Sequence, residues 1–236
     1  MIYVTSDLHG FPIDKFLKLL NKANFTDDDF LFIVGDVIDR GDDGVKILQW
    51  LLTTPNVQLL LGNHEAMMLS CAFLFEEVTD DNINSLSEDK LALLYNWQTN
   101  GAKPTIKGLL TLSNDERLDI LDYLRDCPLY DSVETNGRHF LLVHGGLGNF
   151  SPDKKISEYS EDELLWTRPE IDEDYSAEYT TILGHTPTRY YSSCYRGKIL
   201  KTKTWIDIDT GASNGLAPML LRLDDMEEFY LEEGEY

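Results

Sequence analysis

Four of the five histidines in this sequence stand in the same kind of local setting. His9, His64, His144 and His185 each follow a short apolar run and lie beside a glycine or an acid, whereas His139 does not. A single histidine is more often a structural residue than a ligand or a catalyst. Four in one setting indicate a shared role, because open α/β sheets place their chemistry just past the carboxyl ends of buried strands.

Three aspartates accompany these histidines. Asp36 and Asp39 follow the apolar run Phe30–Val34, which is predicted to be a buried strand. Asp7 precedes His9 by two residues. In an extended chain, residues i and i+2 point to the same side, so Asp7 and His9 are expected to reach one ion together.

These side chains make a plausible ligand set for two metal ions. Asp36 can give one carboxylate oxygen to each ion. One ion is predicted to bind Asp7, His9 and Asp36, and the other to bind Asp36, Asn63, His144 and His185. Nitrogen and oxygen donors without cysteine favour two divalent transition-metal ions, with Mn expected and Fe, Zn or Co as alternatives. Two ions about 3.5–4 Å apart can share a bridging hydroxide for in-line attack on a phosphoryl group.

His64 is not needed as a ligand in this scheme. It is predicted to be the general acid that protonates the departing alkoxide. Asp39 is predicted to hydrogen-bond its other ring nitrogen, which fixes the tautomer and keeps the ring protonated. Arg40 and Arg168 are candidates for forked contacts to phosphate oxygens. The simpler alternative for Arg40 is a surface ion pair with a nearby acid, and no local pattern fixes the placement of Arg168.

The first third of the chain reads as alternating strands and helices. Strands are predicted at Ile2–Thr5, Phe30–Val34 and Val57–Leu61, each ending in a polar, glycine-flanked cluster. Amphipathic spacing predicts helices near 13–20, 45–52 and 66–75. This order predicts parallel strands joined by crossover helices.

The remainder of the chain differs. Residues 79–135 are predicted to be a variable helical insertion over the sheet edge, with a loop at Thr79–Asp89. Its helices are predicted at Leu91–Trp97 and Glu116–Leu124, separated by Asn100-Gly101 and Lys103-Pro104. Further strands are predicted at Phe140–Val143, Thr181–Leu183, Trp205–Ile208 and Met219–Leu223, with a last one inside the acidic segment 227–236. We expect residues 1–236 to form a single domain.

Composition narrows the possible partners. The chain has 236 residues and a net charge of -22, which argues against a nucleic-acid or anionic-membrane partner. Three separated cysteines predict free thiols in a reducing cytoplasm. We find no secretory signal and no apolar run approaching a membrane span. The sequence does not address the oligomeric state.

Five motifs in order resemble the calcineurin-like metallophosphoesterases. They are Ser6–Gly10, Gly35–Gly41, Gly62–Glu65, His144–Gly146 and Gly184–Thr186. The Asp39-Arg40-Gly41 extension resembles the narrower phosphoprotein phosphatase branch. Further matches resemble its bacterial and phage-type (phage lambda phosphatase-like) serine/threonine phosphatases: Met67-Met68, Trp97 with Asn100-Gly101, Trp166–Arg168 and Ile208–Ala212.

The resemblance implies a four-layer αββα sandwich of two mixed sheets flanked by helices. It also implies a dinuclear metal centre and hydrolysis of phosphoserine or phosphothreonine, with the residue roles given above. Ser6 stands where that family usually has glycine, a small change expected to matter little. The segment from Thr79 to Asp131 matches the family only around Trp97–Gly101, so substrate choice does not transfer.

Two other readings remain. A symmetrical bis(5'-nucleosyl)-tetraphosphatase, which hydrolyses diadenosine tetraphosphate, shares the same five motifs and differs mainly in its covering helices. A non-catalytic binding module with this fold would be expected to have lost ligands, yet every ligand position here is filled and His64 and Asp39 are both present. The sequence therefore favours an enzyme acting on a phosphorylated protein or a small phosphoester.

Overall fold

The computed structural model describes residues 1–75 and 87–236. Within these ranges, two five-stranded sheets pack face to face, and helices cover the outer face of the first sheet. A short helix and connecting loops cover the outer face of the second sheet. The fold is the predicted α/β sandwich of four layers.

The first sheet carries the strands that lead into the N-terminal polar clusters. It contains β1 (Ile2–Thr5), β2 (Phe30–Val34) and β3 (Val57–Leu60), which run parallel. It is extended by β9 (Leu220–Arg222) and β10 (Glu227–Phe229), with β9 antiparallel to both β1 and β10. The order β10-β9-β1-β2-β3 brings the ends of β1, β2 and β3 to one edge.

The second sheet is also mixed. It contains β4 (Tyr130–Thr135), β5 (Arg138–Val143), β6 (Thr180–Leu183), β7 (Leu200–Lys201) and β8 (Trp205–Asp207) in the order β4-β5-β6-β8-β7. The three central strands are parallel, and the two edge strands are antiparallel to their neighbours. His144 follows β5 directly, and His185 lies two residues after the end of β6.

The sequence of strand β2 is apolar without interruption because both of its faces are buried. Leu31 and Ile33 belong to the core beneath the helices, whereas Phe32 and Val34 belong to the core between the two sheets. Side chains alternate between the two faces of a strand, so a strand covered on both faces is apolar at every position.

In the described part of the chain, six helices pack on the first sheet. They are α1 (Ile13–Lys22), α2 (Gly44–Leu52), α3 (Asn63–Ser70), α4 (Glu88–Thr99), α5 (Lys103–Leu109) and α6 (Asn114–Asp126). The helix on the second sheet is α7 (Glu161–Leu165).

Three local predictions were wrong. Helix α3 begins at Asn63 and not at residue 66, so two candidate site residues form its first turn. Helix α5 occupies the place where Lys103-Pro104 was expected to separate helices, because proline fits the first turn of a helix. Tyr130–Thr135 is an edge strand of the second sheet, although it was assigned to the helical segment. Most of the predicted loop at 79–89 lies outside the described residues.

Cys71, Cys127 and Cys194 are free thiols, as predicted. Among the residues that the structure describes, no helix combines the length and the apolar character needed to cross a bilayer.

Candidate metal and phosphate site

The ten candidate residues lie together where the ends of the parallel strands of both sheets meet. They are Asp7, His9, Asp36, Asp39, Arg40, Asn63, His64, His144, Arg168 and His185, each linked to the others by the contacts given below. The eight acids, amides and histidines are buried, and the two arginines are exposed on the solvent side.

Asp7 and His9 meet by a backbone path that differs from the predicted one. Their φ angles are +53° and +43°, so the expectation of extended chain was wrong. Hydrogen bonds from their backbone N–H groups to Gly35 O and Asp36 O hold this turn beside the end of β2. His9 Nε2 nevertheless lies 3.7 Å from Asp7 Oδ1 and 3.6 Å from Asp36 Oδ2.

Left-handed backbone is concentrated at this site. Six candidate residues other than glycine have positive φ: Asp7, His9, Asp36, Asp39, Arg40 and His185. Such conformations cost of order 1–3 kcal/mol each and persist only where surrounding structure enforces them. Their clustering indicates that the side chains are held in place for a function and not for stability.

The carboxylate of Asp36 lies at the start of helix α3. The His64 backbone N–H donates to Asp36 Oδ1 at 3.0 Å, which satisfies one of the unpaired N–H groups of the first helical turn. A Cβ atom on Gly62 would overlap the Asp36 side chain and backbone nitrogen, so glycine permits this approach. The first turn of α3, which was not predicted to be helical, therefore helps to position Asp36.

Glu65 is a site residue to which sequence reasoning gave no role. Its two carboxylate oxygens accept backbone N–H groups of Asp36 at 2.8 Å, Val37 at 2.9 Å and Gly62 at 3.1 Å. Burial, followed by repulsion from Asp36, raises the pKa of Glu65 to about 7. Glu65 is the third residue of helix α3, and its side chain caps the helix by accepting the backbone N–H of Gly62. This three-residue spacing is a local pattern that could have been recognised in the Gly62–Glu65 motif.

His144 and His185 lie on the other side of Asp36. His144 Nε2 is 3.4 Å from Asp36 Oδ2 and 2.9 Å from Asn63 Oδ1. The His185 backbone N–H donates to Asp7 Oδ2 at 2.9 Å. One potential ligand atom from each of Asp36, His144 and His185 falls within 4.8 Å of the others, and the same holds for Asp36, His9 and His64. Asp36 belongs to both groups, as a bridging carboxylate requires, although the second group contains His64 where Asp7 was predicted.

The imidazole rings of His9 and His144 are oriented by backbone carbonyls. His9 Nδ1 lies 3.2 Å from Ile38 O, and His144 Nδ1 lies 2.8 Å from Val34 O. Donation from Nδ1–H leaves Nε2 to face Asp36 in both residues. Carbonyl partners of this kind fix the tautomer of metal-binding histidines.

Burial and mutual attraction set the protonation of the cluster. Burial lowers the pKa of His9 to about 3 and that of His185 to about 2, so both rings are neutral near pH 7. Burial raises the pKa of Asp7 to about 6. Burial also disfavours charge on Asp36 and His144, but their attraction outweighs it. The pKa of Asp36 is therefore well below its usual value, and that of His144 rises to about 10.

The donor set fits divalent cations. Asp7 Oδ1 and His185 Nε2 are buried and have no hydrogen-bond partner among the described residues. Buried polar atoms without partners are rare and costly, and a cation would satisfy both. The donors are nitrogen and oxygen atoms, as Mn, Fe, Co and Zn accept.

His64 makes two side-chain contacts that distinguish it from the other three histidines. His64 Nδ1 lies 2.6 Å from Asp39 Oδ2, and Arg40 Nη2 lies 3.1 Å from His64 Nε2. A guanidinium only donates, so Nε2 accepts in this pair and the ring proton lies on Nδ1. Burial lowers the pKa of His64, but attraction from Asp36 and Asp39 outweighs it and raises the pKa overall. Because its ring lies between the carboxylate of Asp39 and the guanidinium of Arg40, an acid–base role fits His64 better than a ligand role.

Arg168 is held beside the histidines by the backbone of the His185 turn. Arg168 Nη1 donates to His185 O at 3.1 Å and to Thr186 Oγ1 at 2.9 Å. These bonds hold the exposed guanidinium beside the His185 turn. A cavity of about 370 Å³ begins at His9 and Arg40 and continues past Phe11.

Two buried contacts of Asp39 have no counterpart in the sequence analysis. Thr105 Oγ1 donates to Asp39 Oδ1 at 2.6 Å, and Trp97 Nε1 donates to Asp39 Oδ2 at 2.8 Å. These partners lie 66 and 58 residues from Asp39 in sequence. No local pattern predicts contacts over such separations, although Trp97 was noted as a motif residue.

Comparison with known proteins agrees with this geometry. The model of the calcineurin-like phosphoesterase family matches residues 1–207. A serine/threonine-protein phosphatase 2 from Salmonella typhimurium is 30% identical over 72% of this chain and 69% of its own length. A symmetrical bis(5'-nucleosyl)-tetraphosphatase from Actinobacillus succinogenes is 30% identical over 64% of this chain, but that match covers only 45% of the relative.

Solved structures with low sequence identity share the fold. One, provisionally named a diadenosine tetraphosphatase, has a TM-score of 0.63 at 16% identity and covers 98% of this chain and 92% of its own. At these identities the likeness extends to the fold alone. Proteins that are similar to this chain therefore carry names that give different substrates.

Proposed function

We propose that this chain, which belongs to the calcineurin-like phosphoesterase family, is a metal-dependent phosphomonoester hydrolase that acts on phosphoserine and phosphothreonine in proteins. The observation that carries the proposal is the 2.6 Å contact between His64 Nδ1 and Asp39 Oδ2, beside the group of acids and histidines. A serine or threonine alkoxide is a poor leaving group, and its departure requires a positioned proton donor. The oriented histidine would supply that proton.

The proton transfer proposed for His64 uses atoms whose positions are described above. A phosphate in the site would draw the Arg40 guanidinium from His64 Nε2 to its own oxygens, since a charged oxygen is the stronger acceptor. Nε2, freed of the guanidinium, could then take up a proton from water and give it to the leaving-group oxygen as the P–O bond breaks and its electron pair stays on that oxygen. The ring ends neutral, with Nδ1–H still donated to Asp39.

Six residues would hold the two cations. They are Asp7, His9, Asp36, Asn63, His144 and His185, with Asp36 shared. When bound, such ions supply activation of the attacking water and neutralise charge on the phosphoryl oxygens. Arg40 and Arg168 would orient the phosphate from the solvent side. We expect Mn to support activity, and the donor set equally accommodates Fe, Zn or Co.

Arg168→Ala should raise KM for p-nitrophenyl phosphate about tenfold or more. A hydrogen bond to a charged partner contributes about 1.5–3 kcal/mol, and the variant would lose such a bond to phosphate. Steady-state kinetics check the prediction, with Arg125→Ala as the control because Arg125 pairs with Asp122 on the exposed surface. Unchanged KM and kcat in Arg168→Ala would show that Arg168 does not bind the phosphate.

Hydrolysis of dinucleoside tetraphosphates is the second candidate. It is favoured because relatives from Actinobacillus succinogenes and Acidovorax carry the name symmetrical bis(5'-nucleosyl)-tetraphosphatase. This chain spans less than half the length of these two relatives, and the match covers 45% and 44% of them. Such partial matches do not choose between the two substrates.

A direct comparison of substrates separates the two candidates. The rates to compare are those on a phosphoserine peptide, diadenosine tetraphosphate and p-nitrophenyl phosphate, each with Mn²⁺. The proposal predicts the highest kcat/KM for the peptide. A higher kcat/KM for diadenosine tetraphosphate would contradict it and favour the second candidate.

We also propose that residues 1–236 act as one domain. The two sheets share a continuous core, which includes Val4 and Phe32 of the first sheet and Phe140 and Ile182 of the second. The site draws on both sheets, so neither sheet could form it alone. Limited proteolysis that released a stable, folded single-sheet fragment would contradict this proposal.

A further inference from the structure

We infer that Thr105 and Trp97, on helices α5 and α4, are positioning residues that fix the Asp39 carboxylate and through it the general acid His64. The inference rests on the proposed function. It assigns to these two helices a part in catalysis, in addition to covering the sheet.

Thr105 makes a two-point contact with Asp39. Its hydroxyl donates to Asp39 Oδ1 at 2.6 Å and accepts the Asp39 backbone N–H at 2.9 Å. Asp39 has a φ of +68°, and the contact to its backbone N–H helps to hold this left-handed conformation. Both residues are buried, at 1% and 0% exposure, so water cannot replace the hydroxyl. One side chain therefore fixes both the backbone and one carboxylate oxygen of Asp39.

Trp97 fixes the other carboxylate oxygen. Its indole Nε1–H donates to Asp39 Oδ2 at 2.8 Å, and this is the oxygen that lies 2.6 Å from His64 Nδ1. With Thr105 on Oδ1 and Trp97 on Oδ2, rotation of the carboxylate would break one bond or both. His64 is consequently presented with a single acceptor in a single direction.

The same corner of the fold also holds Arg40. The Arg40 backbone N–H donates to Gly101 O at 3.0 Å, in the turn between Trp97 and Thr105. Gly101 has a φ of +104°, and a Cβ atom there would lie 2.8 Å from Arg40 Cγ. The α4–α5 corner is thus in contact with both the proposed acid pair and the proposed phosphate-binding arginine.

A purely structural role for the two residues predicts different behaviour. Removing a buried hydrogen bond lowers stability whatever its function. If Asp39 and His64 are no longer held in place, the rate should instead fall most on substrates whose leaving group must be protonated. A serine alkoxide needs a proton, whereas p-nitrophenolate departs with little assistance. The ratio of the rates on these two substrates therefore distinguishes a positioning role from a structural role, whatever the change in stability.

The test compares Thr105→Val, Thr105→Ser and Trp97→Phe in the full chain with Mn²⁺. Valine keeps the shape of threonine without its hydroxyl, serine retains the hydroxyl, and phenylalanine removes the indole N–H. Thr111→Val is the matched control, because the Thr111 hydroxyl bonds only Gly108 O at the exposed end of α5. The measurements are kcat on a phosphoserine peptide, kcat on p-nitrophenyl phosphate and Tm.

We expect kcat on the peptide to fall about 10- to 100-fold in Thr105→Val and Trp97→Phe. This is the range typical of losing a hydrogen bond that orients a functional side chain from outside. The loss on p-nitrophenyl phosphate should be about threefold or less, since little proton donation is needed there. Thr105→Ser should recover most of the peptide rate, and Thr111→Val should match the wild type.

Equal losses on the two substrates, or no recovery in Thr105→Ser, would overturn the positioning role. If Thr105→Val does not fold, the substrate ratio of Trp97→Phe decides. A wild-type protein that hydrolyses neither phosphomonoester would overturn the proposed function and this inference together. An active wild type with equal losses in the variants would overturn this inference alone.

Discussion

His64→Asn should lose about 10²- to 10⁴-fold in kcat on a phosphoserine peptide, the usual contribution of a positioned general acid. The loss on p-nitrophenyl phosphate should be much smaller, because its leaving group departs without full protonation. Metal content should stay at the wild-type level, since His64 is engaged by Asp39 and Arg40 and is not one of the proposed ligands.

The comparison needs a histidine that lies outside the site. His139→Asn is the matched control, because that side chain is 59% exposed and lies on β5 opposite Glu134 of the edge strand β4. It should behave as the wild type on both substrates. Equal losses on the two substrates in His64→Asn, or the loss of a metal ion, would show that His64 is a ligand and not the acid.

Asp36→Asn should lose both metal ions and about a thousandfold or more in kcat on every phosphoester. Asp36 is the one residue shared by the two proposed ligand sets, and its Oδ2 lies 3.6 Å from His9 Nε2 and 3.4 Å from His144 Nε2, so a neutral amide would weaken the binding of both ions. Charge stabilisation by bound metal contributes several kcal/mol to catalysis, and each 1.36 kcal/mol is a factor of ten in rate. Metal analysis of the purified variant and its rates on all three substrates check this.

The same substitution on the surface controls for the change of charge. Asp28→Asn lies in the exposed turn before β2 and should retain metal and rate. The amide of Asp36→Asn can still accept the His64 backbone N–H, so its circular dichroism should resemble that of the wild type. Full metal occupancy in Asp36→Asn would contradict the proposal that the Asp36 carboxylate binds both ions.

The sequence was informative where function and local structure use the same residues. His9, His64, His144 and His185 could be recognised because each follows an apolar strand, and parallel strands bring such ends to one edge. The uninterrupted apolar run of β2 likewise predicted a strand buried on both faces. Membership of the calcineurin-like family follows from the same motifs.

The sequence was misleading where backbone conformation departs from regular geometry. The i, i+2 argument for Asp7 and His9 assumed extended chain, whereas both residues are left-handed. They still converge because backbone bonds to Gly35 and Asp36 fold the turn against β2. Pro104 was read as a separator of helices, although it lies where a helix begins. Composition alone does not reveal either effect.

The contacts that hold Asp39 could not be predicted from the sequence. Trp97 was a motif residue without an assigned partner and Thr105 had no assigned role. Only the packing of α4 against α3 and of α5 against α2 brings them to Asp39. Glu65 is an intermediate case. Its cap on Gly62 is a local pattern, but its bonds to Asp36 and Val37 depend on how β2 and α3 pack.

The most direct test of the account is the amount of Mn²⁺ that metal-depleted wild-type protein binds, measured together with its rate on a phosphoserine peptide. Chelation and desalting should abolish hydrolysis, and titration with Mn²⁺ should restore it as two ions bind per chain. Asp36→Asn in the same titration should bind neither ion tightly and stay inactive. A rate that survives chelation, or full activity without two bound ions, would contradict the dinuclear phosphoester hydrolysis proposed for this site.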